Sequence, residues 1–132
     1  MTMKFVRAAA LLGLVAGFPV TPASAGASDY AFEPVQAEVK TGSGQDVAVR
    51  LVHTPGGHPV PGAVIFQMRL DMGPESMAEM TSPIKPVDST EPGVYRFKAD
   101  FTMAGSWALT LAAKVQGETE TVKGTVVFRA KD

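Results

Sequence analysis

The chain has 132 residues, 45% of them hydrophobic and 19% charged, with a formal net charge of −1 and no cysteine. A near-neutral chain without a basic run lacks the electrostatic footprint that phosphate binding requires, so nucleic acid is not an expected partner. Without cysteine there is neither a disulfide framework nor a cysteine to carry lipid at the start of a processed chain.

Residues 1–25 have the three parts of a secretory signal. Lys4 and Arg7 form a positive start, AAALLGLVAGF (8–18) is a short apolar core, and Ala23-Ser24-Ala25 has the small-x-small form of a cleavage site. Pro19 and Pro22 end the apolar run well short of the roughly 20 residues that a membrane span needs. Cleavage before Gly26, with no stable membrane anchor left behind, is therefore expected. It removes 25 residues and two positive charges, leaving 107 residues at a net charge of −3 instead of −1. The expected product is a soluble periplasmic monomer, with 26–32 a flexible lead and 33–132 one folded domain large enough to bury a core.

Beyond the lead, the chain reads as strands in succession. VQAEVK (35–40), DVAVRLVH (46–53), AVIFQMRLD (63–71), VYRFKADF (94–101), SWALTLAAKV (106–115) and ETVKGTVVFRA (120–130) are rich in β-branched and aromatic residues and bounded by Gly, Pro or Asp turn signals. IKPVD (84–88) has room to be a short extra strand, which Pro86 would confine to a sheet edge. No segment of helical period competes.

Alternation assigns the faces. Val64, Phe66, Met68 and Leu70 share one side of their strand, as do Tyr95, Phe97, Ala99 and Phe101, and then Trp107, Leu109, Leu111 and Val115. Gln67, Arg69, Arg96, Lys98, Thr110 and Lys114 belong to water. In the last strand either Val127 or Phe128 points inward, because Gly124 is a candidate bulge. Two packed sheets would bury the apolar set, so the expected fold is an immunoglobulin-like antiparallel β-sandwich of about seven strands, with a small barrel as the alternative.

The stretch DMGPESMAEMTSP (71–83) sets Met72, Met77 and Met80 among Asp71, Glu75 and Glu79 in what reads as a loop. Strands in an antiparallel sandwich reverse direction in turn, so the existence of the short strand at 84–88 decides which loops share an end. With it, this loop lies beside the turn FTMAGS (101–106) and Met103, and His58 lies at the opposite end. Without it, Met103 joins His53 and His58.

The segments GGHPVPGAVI (56–65), DMGPESMAEM (71–80), EPGVYRFKADFTMAGSWALTL (91–111) and KVQG (114–117), taken in order, resemble the YtkA-like family, also named FixH-like. The resemblance implies an exported or membrane-tethered β-sandwich with a methionine-bearing loop and an F-x-M-x-G-x-W turn. It further implies a part in handling copper or other heavy metals, with Met72, Met77, Met80 and Met103 as the metal residues. A metal efflux system or a copper-acceptor protein would then be the partner.

The chemistry of these side chains points the same way. A thioether is a soft neutral ligand suited to Cu(I), with no proton to lose near neutral pH. It also tolerates an oxidising compartment better than a thiolate. Methionine equally fills core gaps or forms an adaptable apolar patch against a partner, so a metal-free interaction module is the alternative function. Asp71, Glu75 and Glu79 lack calcium-loop spacing and read as structural or solubilising acids. His53 and His58 could add nitrogen ligands for Cu(II), or simply decorate a turn. No nucleophile-base set, HExxH or phosphate-binding loop is present, so no enzyme activity is expected.

Overall fold

The computed structural model describes residues 27–132. The signal segment, its cleavage point and Gly26 lie outside them. Ten strands follow a short 3-10 turn: β1 (Tyr30–Pro34), β2 (Glu38–Lys40), β3 (Gly42–His53), β4 (His58–Pro59), β5 (Val64–Met72), β6 (Met77–Ser82), β7 (Ile84–Val87), β8 (Val94–Phe101), β9 (Gly105–Lys114) and β10 (Val122–Lys131). One sheet runs β1-β3-β8-β7 with β4 also on β3, and the other runs β2-β10-β9-β5-β6. Facing sheets in this order, with β6 added outside β5, make an all-β sandwich of immunoglobulin-like topology. Among the described residues no helix is long and apolar enough to cross a membrane.

The strand count exceeds the expected seven, and the pairing is not wholly antiparallel, because β2 runs parallel to β10. The lead expected to be flexible over 26–32 is in part a strand: Tyr30 to Pro34 pair with His53 to Val49. The physical reason is Phe32, which is buried opposite Leu51 and contributes to the core. Unlike a solvated lead, it carries an aromatic ring with a place to pack.

Regular alternation survives in β8 and β9. Phe97, Ala99 and Phe101 on β8, and Trp107, Leu109 and Leu111 on β9, are all buried. The ring of Phe101 meets Trp107 edge-on at 5.8 Å between centroids and Phe128 at 6.4 Å. These are favoured aromatic geometries. Gln67, Arg69, Arg96, Thr110 and Lys114 are exposed, as charge and polarity dictate.

Two positions depart from the expected faces. Ile65 pairs with Ala113 and Gln67 with the adjacent Ala112, so Phe66 is an extra residue in β5. That bulge turns the Phe66 ring outward, leaving it 48% exposed, and Val64 faces solvent with it. Leu70, beyond the bulge, points inward as expected. The candidate bulge at Gly124 is absent: β10 pairs with β9 without interruption, Gly124 opposite Leu111. Gly124 instead admits Phe32 from the facing sheet, since a Cβ there would lie 2.8 Å from Phe32 Cδ2. With the register regular, Phe128 is the buried residue of the pair and Val127 the exposed one.

Candidate functional site

The short strand at 84–88 exists, as β7 at the sheet edge paired with β8. β6 runs through Pro83 into β7 without reversing, so the two act as one returning strand, and the methionine segment and the β8–β9 turn share one end of the sandwich.

The methionine segment is a hairpin rather than an open loop. Met72 and Met77 are register partners across a turn of four residues, in which Gly73–Glu75 form a 3-10 turn. Ser76 adopts the left-handed conformation at φ 62° and donates its N–H to the Gly73 carbonyl at 2.9 Å. Asp71 braces the turn from below. Its Oδ1 accepts from the Gly73 N–H and its Oδ2 from Arg69 Nε, both at 2.8 Å. Arg69 Nη2 also donates to the Ala78 carbonyl at 2.7 Å, fixing the returning strand. Asp71, read as a structural acid, has both carboxylate oxygens taken up by the hairpin itself.

The hairpin is stitched to the β8–β9 turn. Glu75 Oε2 accepts the Ser106 N–H at 2.8 Å, and Trp107 Nε1 donates to the Met103 carbonyl at 3.0 Å. Between them sits Gly105 at φ 135°, where an added Cβ would meet Met72 Cε at 2.8 Å and Glu75 Oε2 at 3.2 Å. Each fixed letter of F-x-M-x-G-x-W now has a physical role. Phe101 and Trp107 anchor the turn in the core, Gly105 lets the hairpin close onto the backbone, and Met103 is carried at the tip, 41% exposed.

The four methionines are not equivalent. Met72 has no exposed surface and is a core residue. Met77 is half-buried against the core, directly opposite Met72. Met80 is 36% exposed and lies with Ala78 and Glu79 among extra residues of β6, because Asp71 pairs with Thr81 while the adjacent Met72 pairs with Met77. The structure thus sets Met72 beside the Glu75–Ser106 stitch, Met77 opposite Met72 in the hairpin, Met103 on the turn that the stitch reaches, and Met80 further along the same hairpin arm. Ser106 was missed in the sequence, and Gly105 entered only as a letter of the F-x-M-x-G-x-W turn. Their signal is a Gly-Ser pair before a core tryptophan, and it becomes informative only once the hairpin is known to land there.

A sequence profile of the YtkA-like family matches residues 24–112. The chain belongs to the YtkA-like family. The matched span of this YtkA-like chain takes in the methionine hairpin and the whole F-x-M-x-G-x-W turn, and ends within β9. No curated protein matches the chain. Among solved structures, the C-terminal domain of ZirS is similar at a TM-score of 0.46 and 9% identity, over 98% of this chain and 88% of that one.

At the other end, His53 and His58 are register partners between β3 and β4. Among the described residues no three His, Cys, Asp or Glu side chains converge as a metal site. Methionines thus lie at the first end of the sandwich and the two histidines at the second.

Proposed function

We propose that this YtkA-like chain is an exported, periplasmic accessory protein that takes up Cu(I) through the thioethers of the methionine hairpin and the β8–β9 turn. It would pass the ion to a metal efflux system or a copper-acceptor protein. The observation that carries this reading is the Glu75–Ser106 hydrogen bond, which holds the hairpin of Met72 and Met77 against the turn of Met103. Met103 and Met80 are exposed to solvent, and Met77 is half-buried at the hairpin stem. Met72 is buried beneath them, so of the four it tests packing as much as ligation. Thioethers leave the charge of the ion uncompensated, and the Glu75 carboxylate supplies a nearby negative charge without being a ligand. Ion transfer needs an exposed and exchangeable site, which the exposure of Met80 and Met103 favours. The same exposure supports a second reading, a metal-free interaction module whose methionines form an adaptable patch.

The test is Cu(I) binding under reducing conditions, read by mass spectrometry and chelator competition on the exported protein. A variant combining Met77→Leu, Met80→Leu and Met103→Leu keeps most of the apolar volume and removes three sulfurs. It should retain the thermal midpoint yet lose most Cu(I) affinity, while Met68→Leu should bind like the parent. Equal Cu(I) binding by parent and triple variant would eliminate the hairpin as the site and leave the interaction module.

A further inference from the structure

His53 and His58 are the only histidines in the chain, and antiparallel pairing sets them directly opposite each other. Residues so paired share a face of the sheet, with Cβ atoms about 4.5–5.5 Å apart. His53 follows the core residues Val49 and Leu51 at alternate positions on β3 and is part-buried, while His58 on β4 is exposed beside it. His53 Nε2 is buried and has no hydrogen-bond partner. Buried polar nitrogens nearly always have one, so an orphan of this kind marks a place for a water or an ion.

The surroundings are built rather than incidental. Tyr30, the register partner of His53 on its other side, lies against the imidazole at 5.0 Å between centroids. Its hydroxyl donates to Glu118 Oε2 at 2.8 Å, tying β1 to the β9–β10 turn of the facing sheet. On the solvent side the turn from 54 to 57 closes with the Gly56 N–H on the His53 carbonyl at 3.3 Å. The His58 ring rests on Gly56, where a Cβ would come within 2.5 Å of His58 Nε2. One imidazole is thus held under Tyr30 and the other laid over the turn that joins them.

We infer that His53 and His58 form a two-imidazole site for a borderline divalent cation, Cu(II) above all, at the end of the sandwich opposite the methionines. Imidazole suits Cu(II), Ni(II) and Zn(II), and Cu(II) binds most strongly in that series. No third His, Asp or Glu converges among the described residues, so water completes the coordination and the site is open to exchange. The inference is independent of the Cu(I) reading, since it uses different residues, different donor atoms and the other oxidation state.

The experiment is electron paramagnetic resonance of the exported protein with substoichiometric Cu(II), together with affinity measured against a competing chelator. The parent should show hyperfine coupling to two imidazoles. His58→Gln, in an exposed turn, should show one. Loss of an outer partner of a metal ligand alone costs about 10–100-fold, so this variant should bind at least about tenfold more weakly. His53→Gln should behave likewise, and the triple methionine variant should bind Cu(II) as the parent does. A parent spectrum with one imidazole or none, His58→Gln binding like the parent, or loss of Cu(II) in the triple methionine variant would each overturn the assignment. None of those results bears on Cu(I) binding at the hairpin.

Discussion

Gly105 lies directly over Met72: a Cβ on the glycine would come 2.8 Å from the methionine Cε. The two residues are on β9 and β5 at the end of the sandwich, and this contact, with the Glu75–Ser106 hydrogen bond, joins the hairpin to the β8–β9 turn. Gly105→Ala should therefore be destabilising on two counts, a backbone at φ 135° that side chains rarely adopt and a collision with a fully buried side chain. Overpacking and strained backbone each cost about 1–3 kcal/mol. Chemical denaturation should show a loss in that range or above. A loss under about 0.5 kcal/mol, the scale of a neutral surface change, would mean the turn relaxes freely.

Phe66 and Phe97 make a sharper test of the β5 bulge. Phe97 is buried and should cost about 3–5 kcal/mol on truncation to alanine. Phe66→Ala should stay within about 0.5 kcal/mol of the parent, as surface changes do. If both variants lose stability equally, β5 pairs without the bulge.

Trp107 offers a graded pair. Trp107→Ala should cost about 3–5 kcal/mol, since the ring is fully buried against Phe101. Trp107→Phe keeps much of the apolar volume and removes the Nε1 donor to the Met103 carbonyl. It should cost less, yet loosen the turn. Faster amide hydrogen exchange confined to residues 102–106 is the expected signature, and unchanged exchange there would show that the indole bond does not hold the turn.

The Tyr30 phenol titrates above its ordinary value of 10.0, through burial first and the hydrogen bond to Glu118 second. A group whose folded pKa is raised binds its proton more tightly in the native state. Its contribution is complete below about pH 10 and is lost as pH rises through the folded value. The parent should thus lose stability in the alkaline range above about pH 10 more steeply than Tyr30→Phe, which has no such proton. Parallel stability curves for the two proteins in that range would rule out the linkage.

Local pattern alone determined much of this protein. β8 and β9 alternate without interruption, so Phe97, Phe101, Trp107 and Leu109 could be placed in the core from period and polarity. Counting strand reversals reduced the placement of Met103 to two alternatives, beside the methionine segment or beside His53 and His58, and only the pairing of β7 with β8 chose the first. The core faces and the two alternatives are local because they depend on a two-residue period and on chain direction. The turn of Phe66 to solvent is different: it depends on how β9 pairs with β5, and one extra residue in a ladder leaves no mark in the composition of its strand. Gly124 shows the converse, a glycine required by Phe32 in the facing sheet and not by its own strand. The methionine segment became a hairpin because β5 offers an edge on which Thr81 and Met77 pair, and the same pairing buries Met72 and separates it in exposure from Met80. The stitch from Glu75 to Ser106, the pairing of His53 with His58, and the packing of Tyr30 on His53 likewise arise from register and sheet packing. Contacts between residues distant in the chain are set by how the sheets stack, and only the folded structure decides them.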